Sequence, residues 1–310
     1  MQHFTEEHRL HLEEKGYVVV PNVITEELAD ETISNFQAFN AESTGQDFNH
    51  YDRALELKNV HGIIEFPGSL SHVDFVEKIR HDAGVTGVFA SIYGVNPSED
   101  PIRFSYDRVN YQASETMRGL TTRARKSWWH VDQHYSEPNF SCVQGYVDLV
   151  GSETDQHAGL MVISESHLKF ADLALAHIAG AVEEKTNWDR DWHRLTDEEL
   201  AYCMQQGGEI VNVKCPKGGM VLWDSRTVHM SRPNHHPNDE RLVIYTCGWP
   251  ESRLSEEDKS RRFEARKKRR ATSHWPDARH FFPVKPQWFG ERSMEPEQVA
   301  TNWIMDSESE

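Results

Sequence analysis

Between residues 102 and 250 the chain repeats one pattern, in which short runs rich in β-branched and aromatic residues are bounded by turn residues. Such a series of short strands is typical of an antiparallel sandwich or barrel. The pattern therefore predicts a mainly β core. The predicted strands lie in IRFSYDRVNYQ, SWWHVDQH, FSCVQGYVDLV, GLMVIS, EIVNVKC, GGMVLWD and RLVIYTCGW.

Helices are predicted before this core. Thr5 is placed to cap a first helix and Gly16 to end it, because a hydroxyl at the N-cap and a left-handed glycine satisfy free backbone groups. Thr25 is placed to cap a second helix. Two more helices are predicted over 71–81 and 84–94, and a short strand at 17–20.

No linker rich in Pro, Gly or Ser divides the chain, so we predict a single domain over residues 1–310. A mostly helical insertion interrupts the β runs, and Thr196 with Glu199 forms a capping-box pattern inside it. The predicted parts are a helical N-terminal part (1–100), a β core (101–250) with the helical insertion (168–207), and a helical, basic C-terminal extension (251–310).

The composition excludes several classes of protein. The net charge is −17, from 33 basic and 50 acidic residues, so the chain would repel a nucleic-acid backbone unless its basic residues were segregated. No apolar run approaches the roughly 20 residues that cross a bilayer. The N-terminus is charged and periodic, unlike a secretory signal, and the four cysteines form no C-x-x-C pair. We therefore expect a cytoplasmic protein with reduced thiols and no zinc ribbon.

The run KSRRFEARKKRR, residues 259–270, concentrates positive charge in the C-terminal extension. It could be a solvated helix that balances the acidic body, or a basic patch for nucleic acid or nuclear import. We favour the solvated helix, because base-stacking aromatic side chains do not alternate with the charges. Nucleic acid is therefore not an expected partner, and the sequence does not define the oligomeric state.

The tripeptide His-Val-Asp occurs twice. On a strand, residues i and i+2 lie on the same face, so His130 and Asp132 would present an imidazole and a carboxylate side by side. His72 and Asp74 instead follow Ser71, a good N-cap, and begin a run with helical spacing, where i and i+2 diverge. We therefore predict that the first copy is structural and that the second is a pair of metal ligands.

A third ligand and a cation follow later in the chain. Non-haem Fe(II) sites use two histidines and one carboxylate on one face of the metal, which leaves three positions open. His229 follows a predicted strand that ends near Asp224, and Arg241 begins another strand twelve residues further on. The guanidinium of an arginine binds a carboxylate through two parallel hydrogen bonds. The alternative for Arg241 is a surface ion pair with one of the acids beside it, Asp239 or Glu240.

The order of these residues resembles the phytanoyl-CoA dioxygenase-like family of Fe(II)/2-oxoglutarate oxygenases. WWHVDQ looks like the W-H-x-D strand of that family, and HAGLMVISESH is similar to its N-G-x-L-x-x-x-P-G-S-H segment. KGGMVLWDSRTVHMSRPN looks like its K-G-D-x-x-x-F-x-x-x-x-x-H-x-S-x-x-N run, and the first helix with GYVVVPNVITEEL looks like its N-terminus. The resemblance covers roughly residues 8–250, and the ordered set of segments carries it.

The resemblance implies a double-stranded β-helix core, the jelly roll of cupin-like proteins, with flanking helices. It implies that His130, Asp132 and His229 hold Fe(II) and form the catalytic centre. Arg241 would bind the distal carboxylate of 2-oxoglutarate, with Ser231 as a hydroxyl partner. The implied reaction uses O₂ to hydroxylate an unactivated C–H bond of a small molecule, while 2-oxoglutarate is decarboxylated to succinate. A related halogenase needs a small residue in place of the aspartate, so Asp132 favours hydroxylation or another oxidation such as desaturation.

Other side chains are assigned by the face of their strand. Gln112 could bind the cosubstrate, as a comparable glutamine does in relatives, or it could simply line the barrel. Trp128 shares a face with His130 and would form a wall of the substrate pocket, while Trp129 points into the core. Two further residues are predicted to contact substrate, His134 and Tyr111.

The chain departs from the family pattern in two places. Ser164 and Glu165 replace the usual Pro-Gly, so we expect a different turn before His167. The insertion 168–207 is long and could cover the active site, which leaves the substrate open. Two alternative functions are a non-catalytic binding module on the same scaffold and a cupin-like metal enzyme that does not use 2-oxoglutarate. The complete ligand set and the arginine favour the oxygenase.

Overall fold

The computed structural model describes residues 3–44, 63, 70–118, 128–178, 191–281, 287–289 and 292–294. Its strands are β1 (Tyr17–Val20), β2 (Ile102–Phe104), β3 (Val109–Gln112), β4 (His130–Val131), β5 (Val143–Asp148), β6 (Gly159–Ile163), β7 (His193–Arg194), β8 (Ile210–Asn212), β9 (Met220–Asp224), β10 (His229–Arg232), β11 (Arg241–Pro250), β12 (Gln287–Phe289) and β13 (Arg292–Met294). Its helices are α1 (Glu6–Lys15), α2 (Glu26–Thr44), α3 (Asp74–Arg80), α4 (Ala83–Tyr93), α5 (Glu115–Arg118), α6 (Phe170–Ile178), α7 (Asp197–Gln205) and α8 (Glu256–Lys267).

Two antiparallel sheets form the core. The major sheet has the strand order β1-β9-β5-β11-β2, and β3 also pairs with β11. The minor sheet has the order β7-β4-β10-β6-β8. Successive strands from β3 to β6 alternate between the two sheets, and those from β9 to β11 do so again, which is the winding of a double-stranded β-helix. The predicted mainly β fold with flanking helices is confirmed.

Strand β11 lies inside the major sheet, although it is the last strand of the core in sequence. It pairs with β5 on one side and with β2 and β3 on the other. Its register places Arg241 opposite Gln112 and Tyr245 opposite Tyr146. Because side chains alternate along a strand, all four of these residues face the space between the two sheets.

The outer face of the major sheet packs against the N-terminal helices. Thr5 accepts a hydrogen bond from the backbone of His8 at the start of α1, and Gly16 ends the helix with φ 81°, so both predicted caps are confirmed. Thr25 caps α2 as predicted, accepting the Leu28 N–H at 3.2 Å. The buried outer cluster includes Val18, Val20, Phe36, Phe89, Val147, Leu222 and Ile244. The inner faces of the same strands are thereby left for the functional site.

The first His-Val-Asp copy lies at a helix start, but the predicted cap is wrong. Helix α3 begins at Asp74, and Val73 occupies the N-cap position without a side-chain cap, so Ser71 lies outside the helix. His72 is buried and its Nε2 lies 3.1 Å from the Arg270 carbonyl oxygen. This copy therefore contributes to packing, as predicted.

The insertion is not only helical. Besides α6 and α7, it contributes β7, which pairs with β4 and extends the minor sheet. Two residues are too few to show a period of two in the sequence, which explains why this strand was not predicted. The part of the insertion at 179–190 lies outside the described residues.

The turn at Glu165 shows how the chain accommodates its departure from Pro-Gly. Glu165 adopts the left-handed conformation, with φ 65°, that glycine takes freely. Its N–H donates to the Lys15 carbonyl at 3.0 Å, and its carboxylate lies 2.5 Å from the Lys15 ammonium. These contacts help to offset the conformational cost of the left-handed backbone at Glu165.

A buried carboxylate anchors α7 to the minor sheet. Glu199 completes the predicted capping box with Thr196 and also accepts hydrogen bonds from the Tyr135 hydroxyl at 2.9 Å and from His193 Nε2 at 3.1 Å. Burial alone would raise the pKa of Glu199, but the bonds from His193 and the Thr196 N–H lower it from 4.5 to about 2. The ionised form is therefore the one that stabilises the fold.

Replacement of Glu199 with glutamine is expected to lower the free energy of unfolding by about 1.5–3 kcal/mol near neutral pH, the range for hydrogen bonds to a charged group. Because the pKa is lower in the folded protein, this contribution is complete above pH 4.5 and is lost as the pH falls towards 2. Urea unfolding from pH 6 down to about pH 3 should show the two proteins converging. Glu198→Gln, an exposed neighbour, is the matched control, and a constant gap at all pH values would contradict the assignment.

The basic run lies largely in α8, where its charges pair with acidic residues of the same helix. Arg261 lies 2.7 Å from Glu257, and Lys268 lies 2.8 Å from Glu264. Arg262 is instead buried and donates to two main-chain carbonyl groups, which fixes the helix to the core. This arrangement agrees with the predicted solvated helix.

Within the described residues, no helix combines the length and the apolar character needed to span a membrane. All four cysteines are buried and are not joined in disulfides. The division of residues 1–310 into a single domain with three parts stays a prediction.

Candidate active site

Two neighbouring strands in the middle of the minor sheet bring the three predicted metal ligands together. His229 is the first residue of β10, its register partner on β4 is His130, and Asp132 follows β4 directly. His130 Nε2 lies 3.4 Å from Asp132 Oδ1, and His229 Nε2 lies 3.4 Å from Asp132 Oδ2. All three side chains are buried, and one candidate ligand atom from each lies within 4.8 Å of the others.

The surroundings set the protonation of this group. His130 Nδ1 lies 3.1 Å from the carbonyl oxygen of Trp128, and His229 Nδ1 lies 2.9 Å from that of Thr227. With the N–H on Nδ1 donating to this oxygen, each ring keeps its lone pair on Nε2. Burial lowers the pKa of His130, and the nearby His229 lowers it further. Burial alone would raise the pKa of Asp132, but His229 and His274 hold it well below its usual range. Imidazole nitrogen atoms with a free lone pair and an ionised carboxylate bind metals, so these residues fit Fe(II).

Two tryptophans lie beside the ligand group. The Trp128 ring stacks on His130, with 3.9 Å between centroids, and Trp192 of the insertion meets Trp128 edge-on at 5.6 Å. Both tryptophans are partly exposed, so they form an apolar rim rather than a closed core. Trp129 is buried in a separate cluster, as predicted. Trp192 was not predicted, because it lies in the insertion and far from any motif.

Arg241 is buried between the sheets without a carboxylate partner. Its Nη1 donates to Asn110 Oδ1 at 2.6 Å, and its guanidinium lies 5.0 Å from the centre of the Tyr146 ring. No carboxylate of the described residues lies within 4.0 Å of it. The alternative of a surface ion pair is wrong, because Asp239 contacts His157 and Glu240 accepts from Tyr111.

Unpaired polar atoms surround this guanidinium. Arg241 Nε and both amide atoms of Gln112 are buried and have no hydrogen-bond partner among the described residues. Asp148, the nearest buried acid along β5, already accepts from the Gly151 N–H and the Ser152 hydroxyl. An unsatisfied buried polar group costs about 1–3 kcal/mol, so a ligand carboxylate at Arg241 would relieve a real penalty. These residues thus fit the distal carboxylate of 2-oxoglutarate.

Tyr146 is a pocket residue that the sequence interpretation missed. It lies on β5 opposite Tyr245, and its ring forms the wall beneath Arg241. A signal was available, because Gln144, Tyr146 and Asp148 alternate with Val143, Gly145 and Val147. A polar stripe on a fully buried strand indicates a lined pocket.

The remaining predicted site residues are Ser231, His134 and Tyr111, and the structure places each of them in a different environment. Ser231 shares the inner face of β10 with His229 and is partly buried. His134 is buried, and its Nδ1 accepts the Ser136 N–H at 3.1 Å, outside the ligand group. Tyr111 lies on the outer face of β3, where it packs against Phe36 of α2. The structure does not bring Tyr111 to the site, because the alternation that turns Gln112 inward turns Tyr111 outward.

Residues 271–281, which we call the C-terminal strap, add one more side chain. His274 Nε2 lies 3.7 Å from Asp132 Oδ2, its Nδ1 contacts the Asp107 carboxylate, and its ring meets Tyr245 edge-on at 4.8 Å. Burial alone would lower the pKa of His274, but Asp107 and Asp132 raise it to about 9. No motif pointed to this residue, because it stands alone in the C-terminal extension.

A second group of possible ligands lies where the loop before β6 meets the loop before β11. It consists of His157, His236 and Asp239, and the two imidazole rings stack at 4.2 Å. His236 Nδ1 accepts the Asp239 N–H at 2.8 Å, so its lone pair is used by the loop itself. His157 Nε2 lies 3.1 Å from the Asp239 carboxylate, which joins this loop to the one before β6. We assign this group a structural role.

A double-stranded β-helix with a buried His-Asp-His group and an inward-facing arginine defines the class of non-haem iron oxygenases that use 2-oxoglutarate. The model of the family "Phytanoyl-CoA dioxygenase (PhyH)" matches residues 12–241, and the chain belongs to this family. The predicted family is thereby confirmed. The match ends at Arg241, so the C-terminal strap lies outside it.

Individual relatives are distant. Among solved structures, EctD from S. alaskensis with bound Fe is 17% identical, with coverage of 81% of this chain and 79% of that chain and a TM-score of 0.52. GIG2 (DUF1479) from Candida albicans is 13% identical, with coverage of 85% and 67% and a TM-score of 0.54. "Ava biosynthesis cluster protein O" from Aspergillus versicolor is 23% identical over 165 residues, which is 52% of this chain and 50% of that protein. The chain thus aligns with about half the length of this curated relative.

Proposed function

We propose that this protein hydroxylates an unactivated C–H bond of a small molecule, with O₂ as oxidant and 2-oxoglutarate converted to succinate and CO₂. The observation that supports this most directly is that the buried group of His130, Asp132 and His229 on the minor sheet faces, across the space between the sheets, Arg241 on the major sheet, which has no carboxylate partner among the described residues. Iron with its cosubstrate would supply the power to break the C–H bond, and the protein would hold, orient and shield the reactants.

In this proposal His130, Asp132 and His229 hold Fe(II). The carbonyl oxygens at Nδ1 keep both imidazole rings turned towards Asp132, so little reorganisation accompanies metal binding. Asp132 supplies the negative ligand. Because a carboxylate occupies this position, where a small residue would leave room for a halide, the proposed outcome is hydroxylation rather than halogenation.

Arg241 would orient the cosubstrate. Its planar fork can donate two parallel hydrogen bonds to the distal carboxylate, and the bond to Asn110 holds the fork in place beforehand. Gln112 would contribute its amide, since both amide atoms are buried and unpaired. Ser231, on the inner face of β10, is a further hydroxyl partner in this proposal. The guanidinium remains charged, because burial alone would lower its pKa but Tyr245, Tyr146 and Asp148 raise it.

The substrate would enter over the apolar rim. Trp128 and Trp192 stand beside His130 and would exclude water from the reacting bond. A flat aromatic rim suits a small molecule with an apolar portion. His134 stays a predicted substrate contact, while Tyr111 is not carried forward.

The test is anaerobic addition of Fe(II) and 2-oxoglutarate to the purified protein. We expect a weak visible charge-transfer band, followed on admission of O₂ by succinate formation even without the substrate. A mass-spectrometric screen should then find a metabolite that gains one oxygen atom. Absence of both the band and succinate would reject the proposal and leave the binding-module alternative.

A further inference from the structure

We propose that His274 is a positioning residue of the metal centre, which the C-terminal strap places against Asp132 to hold this carboxylate in its ligand orientation. The inference rests on the proposed function of the group formed by His130, Asp132 and His229. It assigns a role to a part of the chain that lies beyond the family match.

The strap is firmly attached to the core. Thr272 donates its N–H to the Tyr106 carbonyl at 2.8 Å and accepts the Tyr106 N–H through its hydroxyl at 3.0 Å. Ser273 donates its N–H to the His280 carbonyl at 3.1 Å, which folds the strap back on itself. Trp275, the residue after His274, is 1% exposed and packs in a buried cluster at one end of the major sheet. The backbone on both sides of His274 is therefore fixed.

The imidazole of His274 is held through both of its nitrogen atoms. Nδ1 contacts Asp107, a carboxylate that is 1% exposed and also accepts the Arg108 N–H at 2.6 Å. Nε2 points to Asp132 at 3.7 Å, within ion-pair distance. The ring edge against Tyr245 limits rotation about the side chain. A side chain fixed in this way can impose an orientation on its neighbour.

Asp132 needs such a neighbour. A carboxylate that binds a metal through one oxygen keeps a second oxygen, and a buried anionic atom requires a partner. The basic groups within 4.0 Å of Asp132 among the described residues are His130, His229 and His274. Asp132 Oδ2 is buried without a hydrogen-bond partner among the described residues, and it faces both His229 and His274. Since His130 and His229 are themselves candidate ligands, His274 is the remaining basic group that can hold this carboxylate.

The geometry favours a supporting role over a fourth ligand. The group of candidate ligand atoms that lie within 4.8 Å of one another contains His130, Asp132 and His229 but not His274. The distance of 3.7 Å from His274 Nε2 to Asp132 Oδ2 is also longer than the two 3.4 Å distances inside the group. Residues that orient a metal ligand typically change metal affinity by about 10–100-fold when they are replaced.

The experiment compares His274→Phe, which keeps a flat ring but removes both nitrogens, with His274→Gln, which can still donate to Asp132. Anaerobic Fe(II) titration, followed through tryptophan fluorescence, should show about 10–100-fold weaker binding for the phenylalanine variant and recovery of most of the affinity for the glutamine variant. The charge-transfer band with 2-oxoglutarate should shift in the phenylalanine variant. Asp107→Asn, which weakens the hold on His274, should give an intermediate loss and provides a second test if His274→Phe fails to fold.

His235→Phe, the same substitution at an exposed histidine, is the matched control. Equal Fe(II) affinity and an unchanged band for His274→Phe and the control would overturn the inference. Pulsed EPR of the Cu(II)-loaded protein should count two coordinated imidazoles in both wild type and His274→Phe, and a fall from three to two would also overturn it. If the wild-type protein itself binds no Fe(II), the proposed function fails. If the wild-type protein and His274→Phe bind Fe(II) equally tightly, only the role of His274 is rejected.

Discussion

Replacing Asp132 or His229 with alanine is expected to abolish Fe(II) binding and all turnover. Each change removes one of the three candidate ligands that lie within 4.8 Å of one another in a buried site. We expect Fe(II) affinity to fall by at least about 100-fold, beyond the roughly 10–100-fold typical of residues that only support a ligand. Anaerobic titration would measure the loss, and the charge-transfer band should disappear.

The chain contains its own control for this experiment. Asp74 belongs to the other His-Val-Asp copy and lies exposed in the first turn of α3, so Asp74→Ala should bind Fe(II) like wild type. Asp132→Asn, which keeps the shape and removes the charge, should bind Fe(II) poorly as well, because an amide is a weaker ligand than a carboxylate. Normal Fe(II) affinity in Asp132→Ala would show that the metal binds elsewhere.

Replacing Arg241 with alanine is expected to raise the KM for 2-oxoglutarate by about 100-fold or more, because two hydrogen bonds from a charged donor are lost. Fe(II) affinity should stay within a few-fold of wild type, since Arg241 contacts none of the candidate metal ligands. Arg241→Lys should recover only part of the loss, because a lysine cannot form two parallel bonds. Succinate formation measured against 2-oxoglutarate concentration would give these values.

Arg226→Ala is a suitable comparison, because Arg226 pairs with Asp224 at the turn after β9 and is not part of the pocket. An unchanged KM for 2-oxoglutarate in Arg241→Ala would reject its role as the carboxylate partner. Activity that survives without 2-oxoglutarate would favour the cupin-like metal enzyme instead.

The fold could be predicted from the sequence because the helix caps, the strand runs and the turn residues all indicated the same arrangement. The caps at Thr5, Gly16 and Thr25 lie where the hydroxyl and glycine chemistry predicts. The β runs were recognised by their β-branched and aromatic residues and by the turn residues that bound them. By contrast, β7 is only two residues long, and its existence depends on pairing with β4. Such tertiary effects leave no local pattern.

The same reasoning explains which site residues were predictable. His130, Asp132 and His229 were found because their order and spacing form a motif, and the structure brings them together, although their role stays a proposal. Tyr111 was wrongly predicted to contact substrate. Because side chains alternate along a strand, an inward-facing Gln112 implies an outward-facing Tyr111. Trp192 and His274 could not have been found, because their proximity to the site depends on how the insertion and the C-terminal strap fold back onto the core. A single sequence does not record such distant neighbours.

The central place of β11 has a consequence for synthesis on the ribosome. Its partners β2, β3 and β5 leave the exit tunnel long before β11 does, so for that interval each exposes an unpaired strand edge that only β11 can cover. The growing polypeptide therefore exposes these unpaired strand edges until nearly all of its β core has been translated. We expect prematurely terminated chains to be bound by chaperones or to aggregate in inclusion bodies. In the completed chain, β11 pairs with the edges on both of its sides.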